Sequence, residues 1–337
     1  MTTGRLKTIL DQFPSKKIIV LGDLIADEYI FTRSSRVSRE APVLILRYEG
    51  RKIALGGAAN AIHNVRSLGA EVLPLGVIGK DEMGSCLLHL MQEKGISPDF
   101  ICVQETYCTT TKTRVLAGSY HATKQQVARI DREPDNPLDR KAEDFIIHAL
   151  EEIIHQADAL LISDYGLGAC SPRVKEKINQ VAKQTQKIIT VDSRYEILSY
   201  QGVTALTPNE SEIEQALHMK ILDDEDVKTC GQLAIQRTGS RGILITRGRK
   251  GIFVLQGTGE YDYIPVHGED EVADATGAGD TVIGVFTLAL AAGATLIEAA
   301  RLANYAGGIV VMKSGTAPVY WAELQEAIQK ESDARRE

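Results

Sequence analysis

The sequence has no apolar run close to the length of about 20 residues that a membrane-spanning helix needs. The N-terminal residues 1–17 are polar and lack the apolar stretch of a secretory signal. These two absences predict a cytoplasmic protein that has no membrane partner.

Cysteine and histidine are few and scattered. The five cysteines, an odd number, include no Cys-x-x-Cys pair, and the seven histidines form no His-Glu-x-x-His pattern. A disulfide framework or a structural zinc site would need closer spacing. We interpret these side chains as packing or surface residues.

Two common nucleotide-binding motifs are also missing. A P-loop needs Gly-x-x-x-x-Gly-Lys followed by Ser or Thr, whereas Gly79-Lys80 is followed by Asp81. A dinucleotide-binding fold needs Gly-x-Gly-x-x-Gly after its first strand, where this chain has Gly22-Asp-Leu-Ile-Ala-Asp27. These absences exclude a P-loop phosphotransferase and a dinucleotide-dependent oxidoreductase.

The overall composition is that of a globular protein with a sizeable core, with 44% hydrophobic and 25% charged residues among 337. The formal net charge of −7 argues against nucleic acid as a partner. A small anionic substrate is still compatible with it, because a local site can be basic on an acidic protein.

Short apolar runs alternate with segments of helical period along most of the chain. Helices are predicted at 58–68 and 82–94 and after Ser171-Pro172, which supplies an N-cap and a first-turn proline. Strands are predicted at 18–21, 72–78, 159–162, 188–191, 204–206 and 242–246. Short strands that are apolar on both faces indicate an α/β fold with a doubly wound, mostly parallel sheet flanked by helices.

Two segments, 28–53 and 106–131, alternate β-branched with polar residues instead. We interpret them as a small projecting β-sheet that forms a lid or a dimer contact. A pair of surface hairpins is the alternative, and the pattern does not decide between them. The predicted organisation is one domain, 1–330, followed by a frayed charged tail, 331–337.

The most informative segment is Asp274-Ala-Thr-Gly-Ala-Gly-Asp280, which precedes an apolar run of helix length. Gly277 and Gly279 allow backbone N–H groups to converge at the helix N-terminus, which makes an anion site. A carboxylate there suits a base that takes a proton from an attacking hydroxyl while the amides hold a phosphoryl group. The alternative is that Asp280 only caps the helix.

This segment resembles the C-terminal signature of the ribokinase-type (PfkB) carbohydrate kinase family, and the resemblance extends over about residues 17–313. It implies a ribokinase-like fold that uses ATP and Mg²⁺. It also implies that Asp280 is the catalytic base and that Gly277, Ala278 and Gly279 form the anion hole. Asp274 corresponds to a position where some members bind a monovalent cation such as K⁺.

The same resemblance assigns the sugar-binding side to the N-terminal half. Asp23 and Asp27 follow the first strand, where ligands bind in such folds. Gly56-Gly57 opens a helix that carries Asn60, whose amide can both donate to and accept from sugar hydroxyls. Further sugar contacts are expected from Asp164, Lys112 and Arg114.

The resemblance also predicts the residues on the nucleotide side. Asn209-x-x-Glu212 matches the family motif for magnesium and phosphate placement, with water as an intermediary. A helix start with favourable acidic residues is the alternative for this motif. The other expected nucleotide-side residues are Thr246, Gly248, Asn304, Asp192 and Arg194.

Finer features resemble the heptose 7-phosphate kinase branch. They are Arg36-Val-Ser-Arg-Glu-Ala-Pro42, Ser163-Asp-Tyr-Gly-Leu-Gly168, Lys112-Thr-Arg114 and Gln125-Gln126. Leu167 replaces the usual lysine of the branch, which removes one possible phosphate contact. Lys112, Arg114 and Arg194 are candidates for binding the existing phosphate of the sugar.

The resemblance to this branch predicts D-glycero-β-D-manno-heptose 7-phosphate as the substrate. Members of the branch often carry a nucleotidyltransferase domain, and the short stretch after Trp321 predicts a kinase-only form. A homodimer through the lid sheet is expected. A kinase of ribose, fructose or another sugar, and a non-catalytic sugar-binding protein, are the alternative functions.

Overall fold

The structure, a computed structural model, describes residues 3–118, 124–268 and 274–334, the last four by their backbone alone. The strands in these ranges are β1 (Lys17–Gly22), β2 (Leu24–Val37), β3 (Leu44–Gly57), β4 (Glu71–Gly79), β5 (Ile101–Gln104), β6 (Thr111–Gly118), β7 (Gln125–Arg132), β8 (Ala159–Asp164), β9 (Ile188–Ser193), β10 (Ala205–Leu206), β11 (Gly242–Thr246), β12 (Ile252–Gln256) and β13 (Tyr261–Ile264). The helices are α1 (Thr3–Asp11), α2 (Ala58–Ser67), α3 (Glu82–Glu93), α4 (Arg140–Ile153), α5 (Pro172–Gln184), α6 (Glu210–Leu217), α7 (Asp224–Thr238), α8 (Ala278–Ala291), α9 (Leu296–Val310) and α10 (Trp321–Ala334).

Nine strands form a central sheet in the order β13-β12-β11-β10-β9-β8-β1-β4-β5. The strands from β11 to β5 are parallel, and β12 and β13 add an antiparallel hairpin at one edge. The predicted mostly parallel sheet is therefore confirmed. The edge hairpin was not predicted, although Gly257 and Gly259 between its two apolar strands are a turn signal.

Helices cover both faces of this sheet, which explains why its strands are apolar on both sides. In β1, Ile18 and Val20 belong to a core cluster with residues of α2, α8 and α9, whereas Ile19 and Leu21 belong to a second cluster with residues of α4 and α5. All four side chains are fully buried. The alternation in β1 thus serves two cores, as expected of a doubly wound sheet.

The chain changes direction at β1, which lies between β4 and β8. It passes from β1 to β4 and β5 on one side and then returns to β8 on the other. The loops that follow β1 and β8 therefore diverge and leave a crevice at the carboxyl ends of the strands. This is where open α/β sheets bind ligands.

A four-stranded lid sheet, in the order β3-β2-β6-β7, rises from this crevice. Its first pair of strands is longer than the predicted segment 28–53, because β2 begins just after β1 and β3 runs directly into α2. The second predicted segment contains β6 and all of β7 except its last residue, Arg132, while its residues 119–123 lie outside the described part. Every residue of β7 is exposed.

The apolar run after the glycine-rich segment forms α8, which is buried from Asp280 to Leu290. It contacts α2, α9, β8 and β9. At the C-terminus, α10 continues past the predicted domain end at 330, and residues 335–337 of the predicted tail lie outside the described part. Among the described helices, none has the length and hydropathy to cross a membrane.

Candidate active site

A single buried carboxylate lies at the centre of the crevice. Asp280 Oδ2 accepts a hydrogen bond from Asn60 Nδ2 at 3.0 Å, and its Oδ1 accepts one from the Tyr165 hydroxyl at 2.8 Å. Asp280 is the third residue of α8, and Asn60 is the third residue of α2. The first turns of two helices and the loop after β8 therefore meet at one side chain.

The glycine-rich turn before α8 makes this close approach possible. Gly277 has a φ of +80°, which glycine adopts without strain. A Cβ there would lie 2.5 Å from Asn60 Nδ2. The Ala278 N–H is bonded to a carbonyl three residues earlier at 3.3 Å, whereas Gly279 and Asp280 lie in the first helical turn, where N–H groups lack intrahelical acceptors. Free amides and the helix dipole at such an N-terminus favour anions, and the predicted anion hole of Gly277, Ala278 and Gly279 stays a prediction.

Burial raises the pKa of Asp280 to about 7. The hydrogen bonds from Asn60 and Tyr165 oppose this rise, while the negative charge of Asp27 adds to it and Lys112 counteracts it. A carboxylate that titrates near neutrality is suited to accept a proton in a reaction at physiological pH.

The lid contributes an ion pair to the same crevice. Arg114 on β6 donates to Asp27 Oδ1 on β2 at 2.5 Å, and both side chains are largely buried. A Cβ at Gly56 would lie 2.5 Å from Asp27 Oδ2, so glycine is needed where β3 passes this carboxylate. The adjacent Gly57 has a φ of +55° and a Cβ there would meet the Asp23 carbonyl at 2.8 Å. The glycine pair therefore permits close packing of the lid base.

Asp23 and Asp164, two other predicted sugar-binding carboxylates, are buried and point into the protein. Asp23 accepts three backbone N–H groups, from Tyr165 at 2.8 Å, Leu167 at 3.1 Å and Ala169 at 2.9 Å. Burial raises the pKa of Asp23 to about 6, although these hydrogen bonds oppose the rise. All three hydrogen bonds of Asp23 come from the protein's own backbone. A contact between Asp23 and the sugar stays a prediction.

Asp164 has a similar set of protein partners. Its Oδ1 accepts the Gly166 N–H at 3.0 Å, and its Oδ2 accepts the hydroxyls of Ser193 at 2.9 Å and Tyr200 at 2.7 Å. The Lys175 ammonium lies 3.4 Å from the same Oδ2. Asp164 thus ties the end of β8 to the end of β9, and its predicted contact with the sugar also stays a prediction.

Cations border the crevice on the lid side. Lys112 is buried with its ammonium 4.7 Å from the centre of the Tyr165 ring. Burial lowers the pKa of Lys112, and the positive charges of Arg129 and Arg194 lower it further, against the opposing effects of Asp27 and Asp131. Lys112 therefore shares its surroundings with other cations, an arrangement that favours an anionic ligand.

Two cavities meet at Gly279. One of about 460 Å³ has a polar lining that includes Asp164, Tyr165, Asp192, Arg194, Asn209 and Glu212. The other, of about 430 Å³, has a mostly apolar lining that includes Ile252, Val266, Ala278, Val282, Asn304 and Val311. Thr246, Gly279 and Val282 line both. A flat apolar group and an attached polyanion would fit this pair of cavities.

The Asn209-x-x-Glu212 motif forms a capping box at the start of α6. Asn209 Oδ1 accepts the Glu212 N–H, and Glu212 Oε2 accepts the Asn209 N–H, each at 2.9 Å. The predicted alternative, a helix start, is thus part of the structure. Burial raises the pKa of Asp192 well above its usual range, and the charges of Glu212, Asp280 and Asp164 add to the rise.

Burial also raises the pKa of Glu212, and the positive charge of Arg194 opposes this rise. Crowded carboxylates of this kind favour a bound cation. Within the described ranges, no group of three or more His, Cys, Asp or Glu side chains is arranged to hold a metal ion by itself. The predicted magnesium contacts of Asn209 and Glu212 stay a prediction, and Asp192 lies in the same polar cavity.

The remaining predicted nucleotide-side residues line the cavities. The Thr246 N–H donates to the Pro208 carbonyl at 3.0 Å, which fixes the end of β11 beside α6. Gly248 has a φ of +55° in the turn that follows. Asn304 Nδ2 donates to the Pro265 carbonyl at 2.8 Å at the edge of the apolar cavity.

Asp274, the predicted cation ligand, links two loops. Its Oδ1 accepts the Thr276 N–H at 2.9 Å, and its Oδ2 accepts the Gly315 N–H at 3.0 Å. Burial would raise the pKa of Asp274, but these hydrogen bonds and the charge of Arg114 outweigh it and lower the pKa. An ionised carboxylate here is compatible with a monovalent cation, which stays a prediction.

Sequence reasoning missed two residues of the site. Tyr165 lies within the segment Ser163-Asp-Tyr-Gly-Leu-Gly168 that resembles the heptose 7-phosphate kinase branch. It was not predicted as a site residue, although its hydroxyl contacts Asp280 directly. Arg129 lies within a predicted lid segment and is paired with Asp131 at 2.5 Å. A tyrosine one residue past the end of a buried strand, at the ligand-binding edge, is the signal that could have identified Tyr165.

Comparisons with known proteins identify the family of the chain and several relatives. Residues 15–322 match the model of the pfkB family carbohydrate kinases. The chain is 37% identical over 332 residues to "Bifunctional protein HldE" of Trichlorobacter lovleyi, covering 98% of this chain and 66% of that protein. It is 36% identical over 307 residues to the protein of the same name in Geobacter sulfurreducens, covering 91% of this chain and 61% of that one. The chain thus spans less than two thirds of the length of these relatives.

Solved structures show the same fold at low sequence identity. Ribokinase of Arabidopsis thaliana, complexed with ribose and ATP, superposes with a TM-score of 0.72 at 16% identity, over 93% of this chain and 99% of that one. Phosphofructokinase-2 of Escherichia coli superposes with a TM-score of 0.74 at 18% identity, over 94% of this chain and 98% of that one. The predicted ribokinase-like fold is confirmed.

Proposed function

This chain belongs to the pfkB family of carbohydrate kinases, and we propose that it phosphorylates D-glycero-β-D-manno-heptose 7-phosphate to the 1,7-bisphosphate with MgATP. The observation that carries the proposal is the buried Asp280 carboxylate at the N-terminus of α8, beside the junction of a polar and an apolar cavity. An ATP-dependent sugar kinase needs a base and an anion site side by side.

In the proposed reaction, Asp280 accepts the proton that the sugar hydroxyl loses as its oxygen bonds to phosphorus. Bound MgATP supplies the phosphoryl group, and its β–γ bond breaks as ADP leaves. The amides of Gly279 and Asp280 would hold the charge of the transferring group at the start of α8. The lid strands exclude water that would otherwise hydrolyse ATP.

The cavities support one placement of the nucleotide. The adenine would lie in the apolar cavity beside Asn304, and the phosphates would extend past Thr246 and Gly279. Asp192 and Glu212 would then hold magnesium from the polar cavity. The sugar would lie on the lid side, between Asp27 and Asp280.

The lid cations support a phosphorylated sugar in particular. Lys112, Arg114 and Arg129 lie close enough to Asp131 to lower its pKa, with Arg129 as the largest of the three effects. Arg194 acts on Lys112 from the opposite side of the crevice. A neutral sugar has no need of such positive charge, whereas the phosphate of a sugar phosphate would be bound by it. The motifs of the heptose 7-phosphate kinase branch favour that sugar among sugar phosphates.

A homodimer through the lid sheet is part of the proposal. Five apolar side chains of the lid strands and their connecting turn are each more than half exposed: Val37, Val43, Leu44, Tyr48 and Ile130. A second lid sheet packed on this one would bury them, and exposed apolar patches of this kind mark protein contacts.

The proposal is tested by ATP consumption with a panel of D-glycero-D-manno-heptose 7-phosphate, ribose, fructose and fructose 6-phosphate. Selective turnover of the heptose phosphate is expected, and an Asp280→Asn sample corrects for contaminating ATPases. Turnover of another sugar alone would leave the kinase and contradict the substrate. Failure to turn over any of them would favour a non-catalytic sugar-binding protein.

A further inference from the structure

Tyr165 stands between the proposed base and a lid cation. Its hydroxyl is 2.8 Å from Asp280 Oδ1, and the Lys112 ammonium lies 4.7 Å from the centre of its ring. Burial, with the nearby charges of Asp280 and Asp192, raises the pKa of the Tyr165 hydroxyl well above its usual value. The hydroxyl therefore keeps its proton and donates a hydrogen bond to the carboxylate.

The backbone around Tyr165 is fixed by a carboxylate from a distant part of the chain. The segment 164–169, called the 164–169 loop below, donates three backbone N–H groups to Asp23. The Tyr107 hydroxyl donates to the Leu167 carbonyl of this loop at 3.1 Å. One of the three N–H groups belongs to Tyr165 itself. Asp23 thus fixes the backbone that carries the Tyr165 side chain.

We propose that Tyr165 is a positioning residue for the reaction: its hydroxyl holds the Asp280 carboxylate ionised and in one orientation, and Asp23 holds Tyr165 in place through the 164–169 loop. The inference rests on the proposed role of Asp280 as the base. With Asn60 on one oxygen and Tyr165 on the other, the carboxylate cannot rotate, and the lone pairs that remain are directed at the substrate hydroxyl.

The surroundings of Asp280 make such a donor necessary. The charged groups that face it are Asp27 from β2, Lys112 from β6 and Asp192 from β9, while Asn60 from α2 is neutral. Two negative neighbours and burial favour the protonated, inactive form of the base, and one cation opposes them. The Tyr165 hydroxyl adds stabilisation of the anion that these charges do not supply.

The test is the pH dependence of kcat in the Tyr165→Phe enzyme. A hydrogen bond to a charged group is worth a factor of about ten or more, so its loss should move the acid limb of the kcat profile upward by about one pH unit. At pH 7 kcat should fall about fivefold and recover at higher pH, while KM for both substrates stays near the wild-type value. A purely structural role for Tyr165 would lower kcat without moving the acid limb.

Tyr107→Phe is the matched control, because it removes a hydroxyl that bonds to the same loop without contacting Asp280. Its acid limb is expected to coincide with that of the wild type. Asp23→Asn should shift the acid limb in the same direction as Tyr165→Phe, and if this variant does not fold, Tyr165→Phe decides.

The two proposals fail in different ways. An unmoved acid limb in Tyr165→Phe, with an inactive Asp280→Asn enzyme, would overturn the positioning role alone. An active Asp280→Asn enzyme would instead overturn the role of Asp280 as base.

Discussion

Asn60 Nδ2 and Asp280 Oδ2 are 3.0 Å apart and 220 positions apart in the sequence. Each is the third residue of a helix that begins after a glycine turn, Gly57 for α2 and Gly277 for α8. The two glycine motifs that stand out in the sequence therefore converge on a single carboxylate. In the proposed mechanism, this convergence lets the sugar side and the nucleotide side share one base.

Replacing Asp280 by Asn should leave the fold intact, because Asn has nearly the same shape. Turnover should fall by at least about a hundredfold, since general-base catalysis typically contributes that much or more. The measurement is kcat from coupled ADP release, with melting temperature as the check on folding. Asp11→Asn, at the exposed end of α1, is the matched control and should be fully active. A fully active Asp280→Asn enzyme would contradict the mechanism.

The same variant tests the raised pKa of Asp280 through stability. The folded-state pKa of about 7 exceeds that of an unfolded aspartate, about 3.9, so the folded state binds this proton more tightly. The contribution of Asp280 to stability is thus fully present below about pH 4 and is lost as the pH rises through about 7.

Asn cannot ionise, so Asp280→Asn should gain stability relative to wild type as the pH rises. Between about pH 5 and about pH 8 the gain in unfolding free energy should be about 2 to 3 kcal/mol. Urea unfolding of both proteins at several pH values measures it, and the contribution of Asp23 cancels in the difference. A difference that stays constant with pH would show that burial does not raise this pKa.

Replacing Gly56 by Ala should impair the use of the sugar and leave ATP binding unchanged. The new Cβ would lie 2.5 Å from Asp27 Oδ2 and would displace the carboxylate from Arg114. We expect kcat/KM for the sugar to fall on the order of tenfold or more, with KM for ATP unchanged. Gly50→Ala is the control on the same strand, because a Cβ there meets no atom within 4 Å. Equal effects of the two variants would contradict a role of Asp27 in sugar binding.

The lid contact predicts a dimer that one charge can disrupt. Ile130→Asp places a carboxylate on the exposed lid sheet, and sedimentation at micromolar concentration should show a shift from dimer to monomer. Leu222→Asp is the matched control, because Leu222 is 85% exposed but lies outside the lid. A wild-type protein that sediments as a monomer would refute the dimer.

Much of the fold could be predicted from local patterns. The strands β1, β8, β9 and β11 are short and apolar on both faces, and glycine or proline marks their flanking helices, so both the strands and the parallel sheet were predicted. The hairpin β12–β13 was not, and neither were α1 and α10, whose mixed polar surfaces give weaker signals. The lid strands were found but their ends were not, because pairing across β2 and β3 extends them into the core.

The sequence by itself determined the feature on which the proposed chemistry rests: a glycine-rich turn before an apolar helix, with one carboxylate on its first turn. Only the tertiary structure decided which of the other carboxylates bond to the protein's own backbone. Asp23 and Asp27 have identical side chains four residues apart, yet Asp23 faces backbone N–H groups that lie more than 140 positions away and Asp27 faces Arg114 in the lid. The same distant loop brings Tyr165 to Asp280. A carboxylate takes the partners that folding brings to it, and no local pattern encodes a donor from so far along the chain.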